Sequence, residues 1–358
     1  MNNTEKRDMM ALVAYAPHDY RYEKFPYPTL GAGDIIIKVE GCGICAGDIK
    51  ELDGLPDTWG TGNDDMLMEP PEIPGHEFCG IIVEKADDVT DYEIGDRIVA
   101  EQIIPCGTCP DCIRGEYWMC SKMQLFGLKN IAHGGFAEYA KIPAAALKHK
   151  VSKDLTVEQA ALIEPYACGM HAAERAEVKH TDVVVVAGLG AIGCAIVNIV
   201  RLSLPKMIIG VDTNSERMEF AKGFGADVVL NPMECNVAEE IYRLTEGRGC
   251  DVYIDASGFP ASAMQGLSSL KNHGRYVQFG QFPGDVTANW NLIGDGKELT
   301  IVGSHLSAHC YGAVIRGIES GLLKTEGLIS HTFPLKDWEE AFAYPKKNKS
   351  AMKIMLVP

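Results

Sequence analysis

The chain has 358 residues, which at ~150 residues per domain predicts two domains. It carries 33 Lys and Arg against 49 Asp and Glu, for a formal charge of −16, with 46% hydrophobic and 23% charged residues. This composition is typical of a packed globular protein, and the acidic charge excludes a nucleic-acid partner, because phosphates need a basic face. The 12 cysteines are too dilute for a disulfide scaffold and indicate metal binding or reactive thiols.

The first 150 or so residues are predicted to be mostly β. Apolar and polar residues alternate around Ile35, Ile37 and Val39, and further short apolar runs lie at 80–83, 97–99 and 136–139. Two segments, 54–74 and 105–121, show no regular pattern, and such segments are usually functional. Thr156 and Gln159 then form a Thr-x-x-Gln capping box, which predicts the start of a helix.

From Asp182 onward, short apolar strands alternate with helical patterns, which predicts an α/β fold with a doubly wound parallel sheet. The predicted strands are Val183–Ala187, Met207–Val211, Asp227–Leu230, Val252–Asp255, Tyr276–Phe279 and Leu299–Val302. The predicted helices are Ser215–Phe224 and Val237–Leu244, followed after residue 305 by Ala313–Gly321 and a β-like tail, Ala351–Val357.

The longest apolar run, Val183–Val200, is long enough for a membrane span of ~18 residues. Three glycines interrupt it, however, so a buried strand, a turn and a buried helix are favoured. Because the N-terminus also shows no signal-peptide pattern, we expect a cytoplasmic protein with no membrane partner.

The three glycines form a G-x-G-x-x-G between that strand and helix, the context of a dinucleotide site. Gly188 would make the tight turn, Gly190 would admit the pyrophosphate, and Gly193 would let the helix pack on the strand. Asp212 ends the next predicted strand, where an acid binds the ribose hydroxyls and favours NAD. Arg217 keeps NADP open, because a nearby arginine can accommodate the 2′-phosphate.

Four cysteines form a C-x2-C-x2-C-x7-C motif, which predicts a closed structural zinc site. They are Cys106, Cys109, Cys112 and Cys120. An iron–sulfur or redox cluster is the alternative, although the last spacing in bacterial iron–sulfur motifs is shorter.

Further candidate ligands are dispersed along the chain. Cys45, His76, Glu77 and Glu164 offer a thiolate, an imidazole and carboxylates, and three such ligands with one open position define a catalytic zinc site. A chain of this length also contains scattered residues of these types without a metal. Cys42 and Cys45 form a C-x-x-C that could be a redox pair, but no thioredoxin-like βαβ pattern surrounds it.

The order and spacing of these motifs resemble the zinc-dependent medium-chain dehydrogenases, and among them the sorbitol and other polyol dehydrogenases, including the erythritol/threitol type. The resemblance covers nearly the full length. It rests on the cysteine quartet, the glycine motif, and the segments 43–48, 74–77, 134–139 and 164–165.

The resemblance implies a GroES-like, mostly-β catalytic domain over residues 1–165, a Rossmann domain over 166–305 and a return to the catalytic domain over 306–358. It implies two Zn²⁺ per chain and NAD, with Cys45, His76 and either Glu77 or Glu164 on the catalytic zinc and Asp48 orienting that site. A homo-oligomer, dimer or tetramer, is also implied. Further cofactor contacts are expected at Ile192, Ser257, Phe279 and Gly303.

The sequence departs from the family pattern at two positions. Gly47 stands where the family usually has a Ser or Thr hydroxyl that passes the alcohol proton toward solvent, and Lys50 replaces a frequent histidine. The usual proton relay therefore cannot operate here. The proton would leave through another hydroxyl, Glu164, a water chain or the substrate's own neighbouring hydroxyl.

The expected reaction is oxidation of a secondary alcohol of a polyol to a ketose, with zinc as Lewis acid and NAD⁺ as hydride acceptor. The polyol would be an uncharged small molecule. Its hydroxyls would meet polar side chains of the 54–74 segment, namely Asp57, Thr58, Trp59, Asn63, Asp64 and Asp65. The alternatives are a threonine- or aldehyde-type dehydrogenase, with Lys50 as the local cation for a carboxylate, or a non-catalytic sensor that binds zinc and nucleotide.

Overall fold

The computed structural model describes residues 7–60, 66–129 and 131–358. The chain forms two compact units. The first contains the described residues up to Glu164 together with Tyr311–Glu319 and Thr325–Pro358, and the second contains Pro165–Cys310 and Ser320–Lys324. The chain thus returns to the first unit at Tyr311, leaves it at Ser320 and returns again at Thr325. The resemblance, by contrast, implies a single return at 306.

The first unit is mostly β. Its initial strands are β1 (Asp8–Ala16), β2 (Asp19–Pro26), β3 (Ile35–Ile44), β4 (Glu77–Lys85), β5 (Arg97–Ala100), β6 (Tyr139–Ile142) and β7 (Lys148–Val151). Its short helices are α1 (Ala46–Leu52), α2 (Pro56–Trp59), α3 (Pro110–Ile113) and α4 (Val157–Ala161), with a 3₁₀ turn at Tyr117–Met119.

Two sequence predictions in this unit need correction. The apolar run at 136–139 is not a strand until Tyr139, because Phe136 packs fully buried in the core and donates its N–H to the Pro74 carbonyl at 3.1 Å. The 54–74 and 105–121 segments are not irregular throughout, because Pro56 and Pro110 occupy the first turns of α2 and α3, where a missing N–H costs nothing. The capping box is confirmed: the Gln159 N–H donates to the Thr156 hydroxyl at 3.2 Å, and α4 begins there.

The second unit alternates helices and strands. It contains α5 (Ile163–Ala176) from Pro165 onward, β8 (Val183–Ala187), α6 (Ala191–Arg201), β9 (Met207–Val211), α7 (Ser215–Phe224), β10 (Val228–Leu230), α8 (Val237–Leu244), β11 (Cys250–Asp255), α9 (Pro260–Ser269), β12 (Leu270–Gln278), a π turn (Leu292–Gly296) and β13 (Thr300–Gly303). β12 is longer than predicted and ends before Phe279, whose N–H turns back to the Asp255 carbonyl at 3.1 Å.

The strands of the second unit form one parallel sheet in the order β10-β9-β8-β11-β12-β13. This is the doubly wound order 3-2-1-4-5-6. All five residues of β8 are buried, as expected for a central parallel strand covered on both faces. The order reverses between β8 and β11, so a ligand crevice is expected at the carboxyl ends of these two strands.

The end of the chain completes the first unit with α10 (Tyr311–Glu319), β14 (Ile329–Pro334), a 3₁₀ turn (Leu335–Asp337), α11 (Trp338–Lys347) and β15 (Lys353–Val357). β15 lies between β14 and β3 in the sheet, and it pairs antiparallel with β3 so that Ile354 faces Ile44. The C-terminal strand is therefore adjacent to the point where β3 leads into α1.

None of the helices formed by the described residues is both long and apolar enough to span a membrane. Val183–Val200, which has the necessary length in sequence, instead divides into β8, the glycine turn and α6.

Candidate zinc and nucleotide sites

The cysteine quartet lies in the loop that contains α3 and the following 3₁₀ turn. The four sulfur atoms all lie within 4.8 Å of one another, and the Cys106–Cys112 and Cys109–Cys120 pairs are each separated by 4.0 Å. A tetrahedron with Zn–S bonds of ~2.3 Å would separate its sulfurs by about 3.8 Å, so the four thiols fit zinc closely. All four are free thiols.

Backbone N–H groups point at these sulfurs. The Cys109 N–H donates to Cys106 Sγ at 3.3 Å, and the Cys112 N–H donates to Cys109 Sγ at 3.4 Å. Hydrogen bonds from Thr108 and from the Cys109 backbone lower the pKa of Cys106 to about 6, and a bond from the Cys112 backbone lowers that of Cys109. The loop therefore favours the thiolate, the form that binds metal, at Cys106 and Cys109. Burial instead raises the pKa of Cys112 to about 12.

A second group of donors is assembled by strand pairing. β3 and β4 are antiparallel, and their register places Gly43 opposite Glu77. Cys45 follows β3 as the N-cap of α1, and His76 directly precedes β4, so both side chains emerge at the same edge. As a result, the ligand atoms of Cys45, His76 and Glu77 all lie within 4.8 Å of one another.

Asp48 supports this group from α1. It is 1% exposed, its Oδ2 accepts the Cys45 N–H at 2.7 Å, and its Oδ1 lies 4.0 Å from His76 Nδ1. Burial opposes a charge on His76, but Cys45, Asp48 and Glu164 outweigh it and raise the pKa of His76. The groups around His76 thus favour a positive charge on or beside its ring. A bound cation would supply that charge in place of the proton.

Glu77 is held by a buried ion pair. Lys353 Nζ, on β15, donates to Glu77 Oε1 at 2.6 Å and to the Ile44 carbonyl at 3.3 Å, and the side chains of Lys353 and Glu77 are 7% and 1% exposed. Glu77 Oε2 has no hydrogen-bond partner among the described residues. A Cβ at Gly43 would lie only 2.2 Å from this oxygen. A buried carboxylate oxygen without a partner fits a position beside a metal ion.

Glu164 stands apart from the three clustered donors. It lies in the first turn of α5, is 6% exposed, and is in neither donor group that the described residues form. Its charge nevertheless acts on His76 and on Lys353 and raises the pKa of each. Cys42, the other cysteine of the C-x-x-C, is a buried free thiol whose pKa burial raises, as expected for a packing residue.

The glycine motif lies at the carboxyl end of β8, beside the start of α6. Gly188 has φ +87°, and a Cβ there would lie 2.7 Å from the backbone of Ser257, which follows β11. A Cβ at Gly193 would lie 1.8 Å from the Gly188 carbonyl oxygen. Gly190 is the N-cap of α6, so the helix N-terminus faces the turn, as a pyrophosphate site requires.

The predicted cofactor residues lie at strand ends, in the loops that follow them or in the first turns of helices around the same sheet. Asp212 follows β9, and its carboxylate accepts the Leu189 N–H at 2.7 Å and the Asn214 N–H at 2.9 Å. Nη1 of Arg217 lies 3.9 Å from the Cβ position of Gly190. Ile192 lies in the first turn of α6, and Ser257, Phe279 and Gly303 lie at the carboxyl ends of β11, β12 and β13.

The predicted substrate segment is only partly accessible. Thr58 and Trp59 are 3% and 9% exposed, and the Trp59 indole N–H donates to the Glu51 carbonyl at 2.7 Å, so Trp59 anchors α1. Asp57 is exposed. Asn63, Asp64 and Asp65 lie outside the described residues. Sequence motifs missed Glu51 and Lys353, because neither belongs to a motif. The turn of α1 brings Glu51 to Gly47, and the sheet brings Lys353 to Glu77.

Two family models match the chain: the alcohol dehydrogenase GroES-like domain over residues 31–153 and the zinc-binding dehydrogenase over residues 191–320. The chain is also 40% identical, over the full length of both proteins, to the erythritol/L-threitol dehydrogenase of Mycolicibacterium smegmatis. It therefore belongs to the zinc-binding alcohol dehydrogenases, oxidoreductases that combine zinc with a nicotinamide cofactor. The predicted GroES-like and Rossmann folds are confirmed, and so is the prediction that the protein is a dehydrogenase enzyme.

Other relatives extend this family assignment. The chain is 33% identical to the L-threonine 3-dehydrogenase of Pyrococcus horikoshii, over 92% of this chain and 93% of that protein. A zinc-binding dehydrogenase from Sinorhizobium meliloti, solved with NADP bound, superposes with a TM-score of 0.90 at 27% identity, covering 99% of this chain and 100% of that one.

Proposed function

We propose that this enzyme oxidises a secondary alcohol of a polyol to a ketose with NAD⁺ as hydride acceptor. The observation that carries the proposal is the convergence of Cys45, His76 and Glu77 at one edge of the β3–β4 pair. One thiolate, one imidazole and one carboxylate make an open zinc site that leaves a position for substrate. When bound, zinc supplies Lewis acidity and NAD⁺ supplies the hydride acceptor.

Glu77, rather than Glu164, is our candidate for the third ligand. Glu77 lies within the group of three donors, and one of its oxygens has no partner among the described residues. Lys353, on β15 at the other side of β3, fixes the other oxygen. Asp48 holds the turn at Cys45 and presents a negative charge to His76. These residues keep the donors in place before any ligand arrives, which is the protein's contribution to metal catalysis.

The quartet of cysteines is our candidate for a structural zinc, because four thiolates close the coordination shell. Under this assignment the chain binds two zinc ions. We also propose a cytoplasmic homo-oligomer, dimer or tetramer, on the basis of the family resemblance. Metal analysis of the purified protein and light scattering coupled to size-exclusion chromatography test these two points.

NAD is our candidate cofactor because Asp212 places a carboxylate at the end of β9, where it would accept hydroxyls and repel a 2′-phosphate. The test is kcat/KM with NAD⁺ and NADP⁺ for the wild type and Asp212→Ser. We expect the wild type to prefer NAD⁺ and the variant to lose that preference by at least ~10-fold. A wild-type preference for NADP⁺ would assign the dominant role to Arg217.

The substrate class is tested with erythritol, L-threitol, sorbitol and L-threonine under NAD⁺, followed by NADH absorbance. The 40% identity to an erythritol/L-threitol dehydrogenase supports a short polyol. The second candidate is L-threonine, supported by the 33% identical relative and by Lys50 on α1 as a cation for a carboxylate. Turnover of L-threonine alone would reject the polyol and favour this second candidate.

A further inference from the structure

α1 carries a second buried carboxyl group, Glu51, one helical turn beyond Asp48. Glu51 is 8% exposed, and Trp59 fixes its backbone carbonyl. Its Oε1 lies 3.9 Å from the position of a Cβ at Gly47, and that position lies 3.7 Å from Cys45 Sγ. The position that a side chain at residue 47 would occupy is therefore within 4 Å of both the Cys45 sulfur and the Glu51 carboxylate.

Gly47 is also the position at which the family usually carries the hydroxyl of its proton relay. We propose that Glu51 accepts the proton of the substrate hydroxyl across the space beside Gly47, and so replaces that relay. The inference rests on the proposed alcohol oxidation. In the balanced step, the O–H bond of the alcohol breaks and its proton goes to Glu51, while bound NAD⁺ would supply the acceptor for the carbinol C–H electron pair, which leaves as hydride. The C=O bond forms, and Glu51 then releases the proton to solvent.

The electrostatic setting suits an acceptor that must later release its proton. Burial and the nearby Asp48 raise the pKa of Glu51 to about 8, while His76 lowers it. Tyr20, on β2, also interacts with Glu51, so α1, β2 and the residue preceding β4 all present titratable groups to it. A cation at Cys45 and His76 would lower this pKa toward neutrality, where a general base is most efficient.

The first test compares Glu51→Gln with the wild type and with Asp53→Asn. Asp53 is an exposed carboxylate that directly follows α1 and pairs with Lys346 at the surface, so it serves as the matched control. We expect Glu51→Gln to lower kcat by ~10²–10⁴-fold and to remove the acid limb of the kcat–pH profile. Its zinc content, KM and NADH affinity measured by fluorescence should stay within about twofold of the wild type, and Asp53→Asn should leave all values unchanged.

Glu51→Asp keeps the carboxylate and should recover at least ~10-fold of the lost kcat, together with the acid limb. An unchanged kcat and pH profile in Glu51→Gln would overturn the proposal. So would loss of the acid limb in Glu164→Gln instead, because that result assigns the proton to Glu164.

A measurement independent of turnover uses the infrared C=O band of a protonated carboxyl in zinc-free protein. This band should titrate near pH 8 in the wild type and be absent in Glu51→Gln. A protonated-carboxyl band that titrates identically in the wild type and in Glu51→Gln overturns the proposal even if the enzyme oxidises polyols. Conversely, a wild type that oxidises no alcohol in the panel refutes the proposed function itself, while the infrared titration still locates the protonated group.

Discussion

The two candidate zinc sites differ in how the chain brings their ligands together. The cysteine quartet lies within one loop, and the loop's own backbone N–H groups stabilise two of its thiolates. The open site draws Cys45 from the end of β3 and His76 from the start of β4, and it depends on Lys353, which is 276 residues from Glu77 along the chain.

The ligand geometry of the quartet is therefore determined by one local segment of sequence, whereas that of the open site is determined by the fold. Four cysteines at close spacing can surround a metal without help from the rest of the protein. The site is closed because their thiolates fill all four coordination positions of zinc. A catalytic site must leave a position free, so other parts of the structure have to hold its ligands apart. We therefore expect damage at the quartet to reduce stability, and damage at the open site to reduce turnover.

Cys45→Ala should produce the largest effect. Removing the thiolate leaves two donors, so we expect kcat/KM to fall by at least ~10³-fold, equivalent to ~4 kcal/mol in the activation free energy. Zinc per chain, measured by mass spectrometry of the purified protein, should fall by one while the thermal midpoint changes little. Turnover that survived in this variant would place catalysis elsewhere.

Cys120→Ala should have the opposite profile. Cys120 is fully buried, and without it the quartet cannot close around zinc. We expect loss of the other zinc and of more than ~3 kcal/mol of unfolding free energy, because metal binding contributes directly to folding at such sites. Turnover at low temperature should persist.

The control, Cys79→Ala, removes another fully buried thiol and should keep both zinc ions. A Cys120→Ala variant as stable as Cys79→Ala would contradict a structural zinc.

Lys353→Met tests whether distant residues maintain the open site. It leaves Glu77 buried without its cation, and breaking such a pair costs ~3–5 kcal/mol of unfolding free energy in urea titrations. The control is Lys346→Met, which removes an exposed ion pair with Asp53 and should cost less than ~1 kcal/mol. Equal costs for the two variants would mean that Lys353 does not stabilise Glu77 in solution.

The same contrast explains what the sequence could predict. Regular spacing revealed the cysteine quartet and the glycine motif, since each is a local arrangement with a local geometric requirement. The sheet of the second unit followed from alternating elements, although the ends of β12 depended on the register with β11. Lys353 was missed because it reaches Glu77 only when β15 pairs with β3. Glu51 was missed because only the helical turn of α1 brings its carboxylate to Gly47 and Cys45.

Tyr117→Phe should produce the smallest effect, because it tests only how the cysteine loop is attached. The Tyr117 hydroxyl donates to Glu101 Oε2 at 2.6 Å, and the second oxygen of that buried carboxylate lies 3.0 Å from His149 Nε2. Losing one charge-assisted bond while His149 keeps the other should cost ~1–3 kcal/mol of unfolding free energy. Zinc content and kcat should be unchanged.

The control is Tyr92→Phe, which removes a hydrogen bond to a neutral group, the Lys148 carbonyl. This change should cost about half as much unfolding free energy. Loss of zinc in Tyr117→Phe would show instead that the quartet depends on the surrounding fold, as the open site does.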